Sequence, residues 1–168
     1  MPYFLLTLFV LIIDQLLKVV VVSKLNVFEN VWIIKNIFSI TLVYNYGAAF
    51  GILQSQTLLL IILSLAVILF VWINRKKLAG YPTLFQIGLA LALGGAFGNL
   101  VDRIRLGYVI DFLDFQVWPV FNLADIAIVA GVGLVIIGLY SDKSETWKKF
   151  NEEPAKAAGL SVGKEDLK

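Results

Sequence analysis

The sequence predicts an all-α membrane protein: four transmembrane helices with a small extracytoplasmic β-sheet on the outer membrane surface. Three observations carry that prediction. Hydrophobic residues make up 60% of the chain and charged residues only 15%, against about half and about a quarter in soluble domains. Mean hydropathy is +0.87. The charges are also unevenly spread, since 12 of the 26 fall from Ser141 onward and only eight basic and six acidic side chains remain in the first 140 residues. A water-soluble fold cannot hide so much apolar surface, so the bilayer must be its solvent.

Four apolar segments approach the roughly 20 residues that a helix needs to cross about 30 Å of hydrocarbon. The first is Tyr3–Val22. It lacks a basic leading region and a small-residue cleavage site, so it is expected to be a retained helix and not a cleaved signal peptide. In the connection Ser23–Gln56, Phe38–Tyr46 alternates with the period of a strand and Val31–Ile34 is its expected partner. Trp32, Tyr44 and Tyr46 suit the headgroup zone. Gly47–Gly51 is expected to form a tight turn leading into the second helix, Thr57–Ile73. Leu84–Leu100 is the third helix, and Phe121–Tyr140 the fourth. Residues 1–140 then form a single four-helix domain with outer loops 23–56 and 101–120. Residues 141–168 are rich in Lys, Glu, Ala, Gly and Ser and read as a disordered polar tail. There is no internal repeat.

Basic residues set the orientation. Arg75, Lys76 and Lys77 lie between the second and third helices without an acid, and Lys143, Lys148 and Lys149 follow the fourth. These regions are expected to be cytoplasmic, which places both termini inside.

The chain has no Cys and no His. That removes disulfides, thiol nucleophiles, Cys/His zinc sites, His-ligated haem and any Ser-His-Asp triad. The basic residues are concentrated in the tail, where acids balance them, and in the Arg-Lys-Lys run, so the net charge of +2 suggests no nucleic-acid face. The working groups of an enzyme built from this sequence are carboxylates, amides, Arg, Lys or hydroxyls.

Ionisable groups inside a bilayer are costly, and each is a functional hypothesis by default. Asp14 and Lys18 are spaced i,i+4 on the first helix, with Gln15 beside them, and mutual neutralisation accounts for them. Gly88, Ala92, Gly95 and Ala96 form a small-residue stripe suited to close helix packing, and the same face continues to Asn99, Asp102 and Arg103. Asp111 and Asp114 lie in the apolar stretch Val109–Phe115. Asn122 and Asp125, spaced i,i+3, open the fourth helix, where a helix cap with a first-turn acid would also explain them. Asp102, Asp111, Asp114 and Asp125 all fall near the outer surface, with only Arg103 and Arg105 nearby. Two close carboxylates share one proton, so that one activates water while the other polarises a carbonyl. This is aspartic peptidase chemistry, and spacing alone does not choose the pair from the four acids.

Five segments match a known family in order: Asp14-Gln-Leu-Leu-Lys18, Asn45-Tyr-Gly-Ala-Ala-Phe-Gly51, Gly94-Gly-Ala-Phe-Gly-Asn-Leu-Val-Asp-Arg103, Val109-Ile-Asp-Phe112 and Phe121-Asn-Leu-Ala-Asp125. From about Asp14 to Gly138 the sequence resembles lipoprotein signal peptidase (signal peptidase II), an aspartic peptidase of bacterial cytoplasmic (inner) membranes. The resemblance implies a catalytic dyad at Asp111 and Asp125. It implies that Asn99, Asp102, Arg103 and Asn122 line and organise the site, that Asn45 and the segment from Gly47 lie near substrate on a β-cradle, and that Asp14 and Lys18 support the fold. Asp114 inherits no catalytic role. The implied substrate is a diacylglyceryl-modified prolipoprotein cut just before its lipidated Cys, and globomycin-like cyclic peptides are the implied inhibitors. No metal or cofactor is implied; membrane lipids are the expected surroundings and a monomer the expected state. Leu17, Tyr44 and Ile126 depart from the family's usual residues.

Two other readings compete. A small transporter or lipid-binding assembly factor would place its ionisable residues near the midplane, where only Asp14 and Lys18 lie. A Ser-Lys peptidase would need Lys18 and Ser23 to meet, and their five-residue separation does not put them on one helix face.

Overall fold

The computed structural model describes residues 3–47 and 56–141. The expected turn beyond Gly47 and the polar tail lie outside these described residues. In chain order the elements are α1 (Phe4–Lys24), β1 (Asn30–Ile34), β2 (Phe38–Asn45), α2 (Thr57–Ile73), α3 (Arg75–Leu78), α4 (Thr83–Leu106), β3 (Val109–Asp114) and α5 (Leu123–Ser141).

Among the described residues, α1, α4 and α5 are long and apolar enough to cross a membrane. The apolar α2 is shorter at 17 residues. A helix that is hydrophobic all round must be covered by lipid or protein, and α2 buries only Val71 of its own side chains. The exposed faces of the other long helices are equally apolar: Phe4, Leu5, Phe9 and Val19 on α1, Val129 and Ile137 on α5. Such faces are incompatible with water and suited to hydrocarbon.

Helix α4 is the centre of the bundle. It packs most extensively on α5, then on α1, and touches α2 at its side. The small-residue stripe makes the α4–α5 contact possible. A Cβ on Gly88 would lie 2.5 Å from the carbonyl oxygen of Gly131, and one on Gly131 would lie 2.5 Å from that of Gly88. A Cβ on Gly95 would collide with the carbonyl oxygen of Ala124. The two backbones meet directly, which no larger residue allows.

Helix α4 runs beyond Leu100, where the apolar run stops, to Leu106, so Asp102 and Arg103 sit on a helix and not in an outer loop. Charged side chains end the apolar signal without ending the helix. Gly107 ends it, with φ +85°, a left-handed conformation that favours glycine.

The three strands form one antiparallel sheet in the order β1-β2-β3. The expected hairpin pairs Val31 with Ile40 and Trp32 with Ser39. β3, legible in sequence only as an apolar stretch, is buried along Val109–Phe112, and burial of both faces erases the polar half of a strand's alternation. Ile110 and Phe112 pack with Leu42 against Val21 near the end of α1. With a period of two, Asp111 points to the opposite face. Phe121 then closes β3's free edge: Phe112 and Leu113 donate to its carbonyl at 2.9 and 2.7 Å, and it donates back to Leu113 at 3.1 Å. This pins the chain one residue before Asn122.

The glycine contacts yield a stability test. Gly95→Ala should destabilise the protein by about 1–3 kcal/mol, the usual range for overpacking against an unyielding neighbour. Gly133→Ala, where an added Cβ meets nothing within 4 Å, should be neutral or stabilising by up to about 1 kcal/mol. Thermal unfolding in detergent micelles reads both, and equal effects would refute this account of the interface.

Candidate active site

The site begins with charges that cannot reach water. Asp14, Lys18 and Asp102 are 0%, 1% and 2% exposed. Lys18 Nζ lies 2.8 Å from Asp14 Oδ2 and 2.7 Å from Asp102 Oδ2, and donates to Asn99 Oδ1 at 3.1 Å. An ammonium has three donors, and all three are used. The i,i+4 pair on α1 is therefore present, and Asp102 of α4 joins it. Gln15 Nε2 reinforces the junction, donating to Asp102 Oδ1 at 2.9 Å and to the Gly98 carbonyl at 3.2 Å.

From this triad three connections lead outward. Asp14 Oδ1 accepts the Ala124 N–H at 3.0 Å, in the first turn of α5. Asp102 Oδ2 accepts the Ile110 N–H at 3.2 Å, in β3. Asn99 Nδ2 donates to Asp125 Oδ1 at 2.8 Å.

The start of α5 is a reciprocal cap. Asp125 N–H donates to Asn122 Oδ1 at 3.0 Å, and Asn122 N–H donates to Asp125 Oδ2 at 3.2 Å, the pattern of a capping box. The buried Asn122 amide reaches further. Its Nδ2 donates to Asp111 Oδ1 at 2.6 Å and to Asn99 Oδ1 at 3.0 Å. Asn122 thus holds one carboxylate with its side chain and the other with its backbone.

Asp111 is 2% exposed. Its second oxygen accepts from Asn45 Nδ2 at 2.8 Å. Asn45 pairs with Val109 in the β2–β3 register, so Asp111, two residues on, is its diagonal neighbour on the same face. Burial, and then the charge of Asp125, push the Asp111 carboxyl up to about 7, against the lowering pull of the Asn45 and Asn122 hydrogen bonds. Asn45 Oδ1 also accepts the Gly47 N–H at 2.9 Å, and the Gly47 carbonyl accepts from Arg103 Nη2 at 3.1 Å. Arg103 is half-buried and lies within electrostatic reach of Asp125 and Asp111.

The structure thus gathers Asn45, Gly47, Asn99, Arg103, Asp111, Asn122 and Asp125 at one end of the bundle and separates the four acids of the sequence. Asp102 is committed to Lys18. Asp114 belongs to a polar cluster in the sheet, accepting from Thr41 Oγ1 at 2.9 Å and from the Gln116 N–H at 2.8 Å. Ser23 Oγ donates to the Val20 carbonyl of its own helix at 2.8 Å while Lys18 is saturated, so these two residues do not form a Ser-Lys pair. Of the departures from the family pattern, Leu17 and Ile126 are exposed apolar residues, and Tyr44 stacks on Tyr108 at 4.3 Å between ring centroids. The sequence reading missed that Asp102 completes the ion triad and that Ile110 and Ala124 lend backbone donors to it. No local signal encodes these contacts, because each crosses between elements.

Comparisons with known proteins identify the family of the chain. The sequence model of a family described as "Signal peptidase (SPase) II" matches residues 6–141. The chain is 44% identical over 140 residues to the lipoprotein signal peptidase of Halothermothrix orenii, covering 83% of this chain and 96% of the relative. It is 46% identical over 132 residues to that of Moorella thermoacetica, covering 79% and 88%. A solved bacterial membrane enzyme superposes with a TM-score of 0.77 at 32% identity, covering 84% of this chain and 90% of the other.

The triad predicts an asymmetry. Lys18→Met leaves two buried carboxylates without their cation and should lower stability by about 3–5 kcal/mol. Adding Asp14→Asn and Asp102→Asn to that variant should recover part of the loss, because an amide oxygen still accepts from Ala124 and Ile110. Thermal unfolding of the three proteins decides it; further loss in the triple variant would contradict the assignment.

Proposed function

The chain belongs to the signal peptidase II family, and on that premise we propose that it is an aspartic endopeptidase removing signal peptides from diacylglyceryl-modified prolipoproteins, with Asp111 and Asp125 as its dyad. Membership makes it a membrane protease; the dyad, the cut just before the lipidated Cys and the topology are our reading. The observation that carries the dyad is that Asn122 binds both carboxylates while Asp111 is held near neutrality.

At neutral pH the protonated Asp111 donates to the carbonyl oxygen of the scissile bond and polarises it. Asp125 takes a proton from water, whose oxygen adds to the carbonyl carbon. As the tetrahedral intermediate collapses, the C–N bond breaks and the proton held by Asp125 passes to the departing amine. Asp111 keeps or regains its proton, and the second proton of the added water leaves the new carboxyl for the amine, so the products are the signal peptide's carboxylate and the lipidated Cys with a protonated amino group. Asn45, Asn99 and Asn122 hold the carboxylates in register, and Arg103 fixes Gly47 beside them. Each carboxylate oxygen retains a lone pair beyond its hydrogen bonds with the protein, so the dyad can still engage water and substrate.

The proposed topology places α1, α2, α4 and α5 across the bacterial inner membrane with both termini cytoplasmic, the sheet on the outer surface, and residues 1–140 as one peptidase domain. At about 25 Å, the 17-residue α2 is at the short end of spanning lengths. A globomycin-like cyclic peptide is expected to compete for the same cleft.

The test uses purified protein, a prolipoprotein bearing diacylglyceryl-Cys and its unlipidated copy. Asp111→Asn and Asp125→Asn should each lower cleavage by at least about 100-fold while still unfolding cooperatively, and the parent should cut only the lipidated copy. Full activity in either variant would sink the dyad.

The pH dependence follows with its sign. Activity needs Asp111 protonated, so the rate should fall as pH rises through about 7. The Asn45 hydrogen bond favours the ionised form, so Asn45→Ala should move this falling limb to higher pH; a shift downward would reverse the proposed role of Asp111.

A further inference from the structure

A cleft of about 340 Å³ opens between the ends of α1 and α4 nearest the sheet, and neither Asp111 nor Asp125 lines it. Its floor is the ion network, where the three donors of Lys18 are all used, both Asp102 oxygens accept hydrogen bonds and Gln15 Nε2 donates into α4. From Gln15 to Ser23 it follows nine residues of α1, about 12 Å along the axis.

Its walls are apolar and outward-facing. Val19 is 62% exposed, and Val22 and Leu106 are also exposed. The stacked rings of Tyr44 and Tyr108 form the wall beside the sheet. At the mouth stands Arg105, exposed and making no hydrogen bond or ion pair among the described residues.

An uncommitted guanidinium at the end of a membrane helix, above an apolar groove, calls for an anion at headgroup depth with a hydrocarbon body below it. A guanidinium fork matches phosphate oxygens in geometry as well as charge. Ser23 Oγ, whose proton is directed to Val20, has lone pairs left to accept from a headgroup donor. Water would fill such a cleft in a soluble protein; here its walls include the exposed apolar side chains of Val19, Val22 and Leu106 on helices apolar enough to cross a membrane.

We propose that this cleft is a binding site for a phosphate-headed membrane lipid of the leaflet on the sheet's side, its phosphate on Arg105 and a chain along Val19, Val22 and Leu106. The site is separate from the catalytic cleft and does not depend on the peptidase reading.

The full chain, purified in detergent, is titrated with dioleoylphosphatidylglycerol and the bound lipid is counted by native mass spectrometry. The parent should hold one lipid more tightly than the rest. Arg105→Gln should weaken that lipid about tenfold, equivalent to about 1.4 kcal/mol. Val22→Trp, which fills the cleft from α1, should weaken it as much with Arg105 intact. Lys24→Gln, two residues further along α1 and outside the cleft, should leave it unchanged. Dioleoylglycerol, which lacks the phosphate, should bind equally to the parent and Arg105→Gln. Equal lipid affinity in the parent and Arg105→Gln overturns the proposal, as does an equal loss in Lys24→Gln. Displacement by millimolar inorganic phosphate would overturn the lipid assignment in favour of a free anion. Binding is read without cleavage, so an inactive peptidase leaves the result intact.

Discussion

One buried ammonium organises the end of this bundle nearest the sheet. Lys18 bonds to three acceptors, and each acceptor passes the contact to a different part of the structure: Asp14 to the first turn of α5, Asp102 to the backbone of β3, Asn99 to Asp125. In water any of these contacts could be exchanged for a solvent molecule. In a site this dry the exchange leaves a buried charge unpaired, at a cost that pairing and hydrogen bonding exist to avoid. The network is therefore close to all-or-none. Correct packing of α1, α4 and β3 is what satisfies Lys18, and the satisfied Lys18 holds those elements in register.

The same economy appears at the start of α5. A helix must satisfy its first N–H groups, and Asn122 and Asp125 do so as a capping box. Asp14 takes a further N–H, at Ala124, where a carboxylate also meets the positive end of the helix dipole. The structural and the catalytic accounts of Asn122 and Asp125 are therefore not rivals. Capping fixes where the Asp125 oxygens lie, and the remaining amide of Asn122 carries that fixed geometry across to Asp111.

What the sequence makes legible is what is local. The i,i+4 spacing of Asp14 and Lys18 announces their pairing, the period-two run Phe38–Tyr46 announces a strand, and the small residues of α4 announce a close helix contact. What it hides is non-local. Asp102 looks equivalent to Asp111 and Asp114 along the chain, and only the packing of α4 on α1 commits it to Lys18. Asp114 is separated from the site by Thr41 and Gln116, one of them more than 70 residues away. β3 loses its alternation because it is buried on both faces, and α4 loses its apolar signal six residues before it ends. Family resemblance implies these polar residues as a set, while only three-dimensional contacts show that Asp102 bonds to Lys18, Asp114 to Thr41, and Asp111 and Asp125 to Asn122.

The sheet explains why two aspartates suffice for the chemistry proposed here. A carboxyl at the surface would be ionised at neutral pH, and one buried without partners would hold its proton far above it. Asp111 is subject to both influences. The sheet buries it on β3 beneath the Phe121 closure, which raises its proton affinity, and presents Asn45 from β2, which lowers it again. The balance falls near 7, the region where a group can hold a proton and release it within one reaction cycle. A bare bundle of helices would supply the burial but not the cross-strand amide. The small sheet thus contributes, through Asn45 on β2, a hydrogen bond that opposes the upward push of burial and Asp125 on the Asp111 carboxyl.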